Sequence, residues 1–177
     1  MGKQYKTLKD KDIEFIKNQK IFYIASSSGS EVNLSPKGYD TIRVLNESSL
    51  VFLSYPGSGN RTHRDAEANG EFTLVFNAFE GVPQIIRLFC KAEIVKYPSS
   101  EFNELHSLFN DGLGVTRDLF KFNIYAVESS CGMSVPIMEY KEDRAGIKDW
   151  ARDMHRSEKL AEYMDKHQIP VDLAKVK

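Results

Sequence analysis

Ile21-Phe22-Tyr23-Ile24-Ala25, Val32-Asn33-Leu34-Ser35 and Leu50-Val51-Phe52-Leu53-Ser54-Tyr55 lie close together in the chain, and their reading decides the fold. The first run is apolar and β-branched, which predicts a buried strand. The second alternates apolar and polar residues, as a half-buried strand does. The third is apolar again, and Tyr39 to Val44 fits a further short strand between them. Turn residues separate the runs: Ser26-Ser27-Ser28-Gly29-Ser30, then Asn46-Glu47-Ser48. Strands this short and this close leave no room for crossover helices, so they pair antiparallel as a meander or barrel. Pro36 has no N–H to give a ladder, so its strand belongs at an edge or a bulge.

Working outward, Asp10 to Gln19 predicts a short helix with Ile13, Phe15 and Ile16 on its apolar side. Thr62 to Asn69 predicts a second, stopped by Gly70. Phe72 to Phe76, Gln84 to Val95 and Leu119 to Val127 read as strands. Ser99 or Ser100 caps a helix that runs to about Phe109. The tail is helical from Gly146 to Gln168, breaks around His155-Arg156-Ser157-Glu158, and ends at Pro170. The expected class is mainly β: a β-barrel with flanking helices over residues 1–140, and a helical tail, 141–177, packed on the same domain.

The chain has 177 residues and a formal net charge of −1, too little positive charge for broad nucleic-acid binding. No apolar run reaches membrane-spanning length, and the start of the chain lacks the apolar core of a signal peptide. Its two cysteines, Cys90 and Cys131, stand far apart without zinc-ligand spacing. The expectation is a cytoplasmic protein with free thiols, no metal and no membrane or nucleic-acid partner.

Gly57-Ser58-Gly59-Asn60-Arg61-Thr62 joins a strand to a helix. A small-residue loop there frees backbone N–H groups for an anion, and Arg61 and Thr62 add a charge and a hydroxyl. The plain alternative is a turn. Asn33-Leu34-Ser35-Pro36-Lys37-Gly38 places Ser35 and Lys37 on one strand face, where a hydroxyl and an ammonium suit an anionic ligand. The alternative is a solvated edge strand guarded by Lys37 against aggregation. Arg87 interrupts an apolar strand, so it faces solvent, pairs with a carboxylate or meets a ligand. His63 lies beside the loop; the other histidines read as structural or surface residues. No nucleophile elbow, Walker loop or dinucleotide fingerprint is present.

With these residues in hand, the chain resembles the pyridoxamine 5′-phosphate oxidase-like family of flavin-binding split-barrel proteins. The resemblance runs from about Phe15 to Ser130. It is carried by Val32 to Gly38, Ser58 to Thr62, Phe76-Asn77-Ala78-Phe79-Glu80-Gly81, Ile86-Arg87-Leu88-Phe89 and Ser130 to Pro136. It implies a six-stranded antiparallel split barrel that forms a homodimer, with FMN in the groove between subunits. It implies an oxidoreductase acting on a small molecule; the alternative is a non-catalytic protein that binds or stores a flavin, a deazaflavin or haem. Carried over, Ser35 and Lys37 would lie along the flavin or its phosphate. Ser54, Ser58, Gly59, Asn60, Arg61 and Thr62 would surround the phosphate and ribityl chain, and Arg87 would reach in from the long strand. Trp150 and the segment from Cys131 to Pro136 are candidates to complete a second subunit's flavin edge. True pyridoxamine phosphate oxidases carry a more basic helix start and an Arg-rich C-terminal segment. Both are missing here, which sets the vitamin B6 substrate apart from the flavin.

Overall fold

The computed structural model describes residues 2–29 and 31–175. Ser30, the last residue of the first expected turn, lies outside them. Eight strands form one antiparallel sheet: β1 (Lys3–Tyr5), β2 (Phe22–Ser27), β3 (Asn33–Lys37), β4 (Ile42–Asn46), β5 (Ser49–Ser54), β6 (Glu71–Asn77), β7 (Gln84–Val95) and β8 (Asp118–Cys131). Their order is β3-β2-β6-β7-β8-β5-β4, with β1 added alongside β8. The mainly β class holds; the strand count is eight where the resemblance implies six. β3 and β4 are consecutive in the chain yet end the path on opposite sides, so the sheet curls without closing.

The curl has an inside. Alternate residues of the long strands, among them Phe72, Leu74, Ile86, Leu88, Phe120 and Phe122, are buried in one core with Phe22, Ile24 and Phe52. Helix α1 (Asp10–Asn18) contributes Ile16 to it. The middle of β5, Leu50 to Leu53, is apolar throughout because both its faces are covered: Leu50 and Phe52 face the inner core, while Val51 and Leu53 meet Phe102, Leu105 and Phe109 of a second cluster. That cluster is built on α3 (Ser100–His106), whose cap is Ser99 accepting from the Phe102 N–H at 3.0 Å. Pro36 sits in β3 opposite Tyr23 in an unbroken register. Of edge and bulge, the chain uses the edge.

α2 (Arg61–Glu67) follows the loop after β5 and packs on β2 and β7. Its stop differs from expectation. Asn69 takes the left-handed conformation at φ 52°, and Gly70 follows it. Gly70 is needed for close approach: a methyl there would stand 2.5 Å from the Ser27 carbonyl oxygen and 2.8 Å from that of Asp65. The tail breaks where its polar stretch predicts, into α4 (Gly146–Arg156) and α5 (Leu160–Lys166). No helix among the described residues is long and apolar enough to cross a membrane.

Candidate functional site

The region around the start of α2 is organised by one buried carboxylate. Asp65 has no exposed surface. Burial alone pushes its pKa up, but hydroxyls from Ser26 and Ser28, each at 2.6 Å, and the Arg64 guanidinium outweigh that and hold it below the ordinary value. Ser26 in turn accepts from the Asn33 amide at 3.2 Å, and the same amide reaches Thr62 Oγ1 at 3.4 Å. Ser35 Oγ donates to Asn33 Oδ1 at 3.3 Å. A chain of polar side chains thus fixes α2 against β2 and β3. It brings Ser35 and Thr62, distant in sequence, to either side of Asn33.

Lys37 lies two residues beyond Ser35 on the same face of β3, opposite Phe22. That is the inner face, and its ammonium sits 5.7 Å from the Phe52 ring centroid. Among the described residues it has no hydrogen-bond or ion-pair partner, and burial holds its pKa down. Ser54 follows Phe52 on the same face of β5 and stands opposite Asp118 of β8. Asp118 Oδ1 is 3.2 Å from His63 Nδ1, whose Nε2 lies 3.4 Å from Glu67. The hydrogen bond to Asp118 is the main reason that the pKa of His63 is raised. Ser35 and Thr62 therefore meet through Asn33 at the start of α2, Lys37 lies farther along the same face of β3, and Ser54 stands opposite the Asp118 that contacts His63.

The loop itself departs from expectation. Ser58 and Gly59 are exposed, and a methyl on Gly57 or Gly59 would meet nothing within 4 Å, so open space adjoins the backbone here. Arg61 is not a free charge: its Nε pairs with Glu31 at 3.2 Å, and Nη2 donates to the Val171 carbonyl at 3.2 Å. Asn60 is buried and donates to the Gln168 carbonyl at 2.7 Å. Arg117, whose side chain is 4% exposed, bridges the loop at the Gly57 carbonyl (2.8 Å) to the tail at the His167 carbonyl (2.9 Å). A cleft of about 500 Å³ lies between α2, the β2–β3 turn and the tail. α2 is seven residues long, so it offers no extended helix dipole.

Arg87 does not join this group. Ile86 and Leu88 take the inner face of β7, and strand alternation turns Arg87 to the other. There it pairs with Glu128 at 3.1 Å and donates to Ser130 at 3.1 Å. The carboxylate-pairing alternative is the one realised within this chain. Trp150 packs on Tyr163 with ring centroids 4.7 Å apart, and Cys131 is exposed. Among the described residues no group of three histidine, cysteine or acidic side chains converges as metal ligands would.

Sequence reading passed over Asp65, Asp118 and Arg117. Asp65 looks like an ordinary helix charge, and only the hydroxyls of Ser26 and Ser28, brought in by β2, give it a role. Arg117 and Asp118 open a strand and resemble the usual polar rim.

No family model matches the chain. The pyridoxamine 5′-phosphate oxidase family protein ustO of Aspergillus flavus is 28% identical over 144 residues, covering 78% of this chain and 58% of that protein. The match thus spans little more than half the length of that curated relative. A candidate pyridoxamine 5′-phosphate oxidase of Lactobacillus delbrueckii superposes with a TM-score of 0.54 at 16% identity, over 70% of this chain and 98% of the other. The FAD binding protein of Mycobacterium smegmatis does so with a TM-score of 0.51 at 10% identity, over 71% and 97%. At these identities the two structures speak to the fold alone. The sequence relative and the fold agree with the resemblance read from the motifs.

Proposed function

We propose that this chain, pyridoxamine 5′-phosphate oxidase-like in sequence and fold, binds FMN at the start of α2 and acts as a homodimeric oxidoreductase on a small molecule. The observation that carries the reading is Lys37. Arg61, Arg64, Arg87 and Arg117 each have a carboxylate within ion-pair distance, whereas Lys37 faces the inside of the sheet without one. A desolvated cation left unpaired is unfavourable by itself. A ligand that brings negative charge removes the penalty.

The donor set fits a phosphate monoester and a polyol. Lys37 supplies charge; Ser35, Ser54 and Thr62 supply hydroxyls; Gly57 and Gly59 leave room beside the backbone. Asn60 and Arg61 would turn their donors to the same ligand. When bound, the flavin supplies the hydride chemistry, and the protein supplies orientation and electrostatics. Asn33 holds Ser35 and Thr62 in place. His63 lies at one end of the group with Nδ1 3.2 Å from Asp118, whose hydrogen bond raises its pKa. The name of the Mycobacterium smegmatis neighbour supports a flavin; the single-phosphate scale of the donor set favours FMN over FAD.

A homodimer agrees with the open sheet. Leu34 is 63% exposed on the outer face of edge strand β3, and Ile137 is 92% exposed beyond β8. Such apolar side chains suit a subunit contact. The two free thiols agree with a reducing, cytoplasmic setting.

Purified protein should carry a yellow chromophore bleached by dithionite, or take up added FMN when it is colourless. Lys37→Met should weaken FMN binding by about 1–3 kcal/mol, roughly 5- to 150-fold. Failure to bind FMN, or equal affinity in the variant, overturns the assignment.

A further inference from the structure

Beyond α5 the chain runs back across the loop between β5 and α2. We propose that residues 167–171 form a displaceable strap over the anion-binding side chains, which a phosphate monoester must lift to bind. This rests on the phosphate reading given above. Three side chains converge on the main-chain oxygens of this one segment. Arg117 donates to His167 at 2.9 Å, Asn60 to Gln168 at 2.7 Å and Arg61 to Val171 at 3.2 Å. The carbonyl oxygens hold the donors that the ligand needs. They carry partial charge only, and a phosphate oxygen is the stronger acceptor.

The strap is held by polar contacts. Ile169 is 85% exposed and Val171 68%, so their side chains contribute little burial to the hold. The anchorage lies upstream: Leu160 is buried, Trp150 packs on Tyr163, and Tyr163 stacks on His167 at 4.1 Å. α5 stays docked while the segment after it lifts. Displacement therefore breaks these three hydrogen bonds and the 3.3 Å contact of the Gln168 amide nitrogen with His63 Nε2, without uncovering a core, which suits an opening step on the path to the site.

The experiment places a nitroxide on Ile169→Cys in a Cys131→Ser chain. Its mobility is followed by electron paramagnetic resonance as FMN, riboflavin or inorganic phosphate is added. FMN and phosphate should mobilise the label, and riboflavin, which lacks the phosphate, should not. A chain ending at Lys166 should take up FMN at least ten times faster than the full chain. The strap is refuted by a label that is mobile before any addition, or one that stays fixed while the protein has bound FMN. It is equally refuted by a label that responds alike to riboflavin, or by a shortened chain that folds and takes up FMN no faster. Should FMN bind neither chain while phosphate still frees the label, the strap stands and the flavin reading falls. A label that neither FMN nor phosphate moves removes the strap, and the flavin reading falls with it only where FMN also fails to bind. If the shortened chain does not fold, the labelled full chain decides.

Discussion

Asp65 and Lys37 show how single side chains are used here. Asp65 has exchanged water for two hydroxyls and a guanidinium, and removing it leaves the buried Ser26 hydroxyl without its acceptor and takes a partner from Ser28 and Arg64. Asp65→Ala should cost about 3 kcal/mol and lower the melting temperature by roughly 6–12 °C, as calorimetry would show. Lys37 is the opposite case, a desolvated cation that among the described residues has the Phe52 ring face near it but no hydrogen bond or ion pair to lose in the ligand-free chain. Lys37→Met should leave that chain at least as stable as the parent while FMN affinity drops. A stability loss would mean the ammonium has a structural role. His63 sets a pH dependence. Its folded pKa is raised, mainly by Asp118. The resulting stabilisation is full below the unfolded value of about 6.5 and fades as pH rises through the folded pKa. Melting temperatures of parent and Asp118→Asn should therefore lie farthest apart below about pH 6.5 and converge in alkali.

Among elements, α2 and β3 carry the proposed site, and each is too short to stand alone. α2 is held by its bonds to β2 and by the approach that Gly70 permits. Gly70→Ala forces a methyl against two carbonyl oxygens and should cost roughly 1–3 kcal/mol in denaturant unfolding. The strands were legible because alternation and turn residues are local signals: β7 matches its expected bounds from Gln84 to Val95. The extra length of β8, Asp118–Cys131, was not legible, since Glu128 to Cys131 gain their strand character from β7 and β1 alongside. The same limit explains Gly70, where the sequence shows a helix stop and space shows a close contact.

For the whole molecule, the open curl of the sheet leaves two edges and several apolar side chains in water. Sedimentation should report a species of twice the chain's mass, and FMN at a hundredfold excess over its Kd should raise stability by about 2.7 kcal/mol. A monomer at micromolar concentration would remove the shared groove from the proposal. Sequence by itself determined the mainly β class, an edge or bulge for the Pro36 strand and the broken helical tail, and it marked Ser35 with Lys37, and separately Arg61 with Thr62, as candidates for an anion. These follow from backbone geometry, periodicity and side-chain chemistry, which act over a few residues. Only tertiary structure decided which charges are free. Arg61 meets Glu31, Arg87 meets Glu128, and the tail's carbonyls meet Asn60, Arg61 and Arg117, while among the described residues Lys37 meets no carboxylate or carbonyl. Charge pairing depends on distance through space, and those partners come from strands and a tail that only folding brings together.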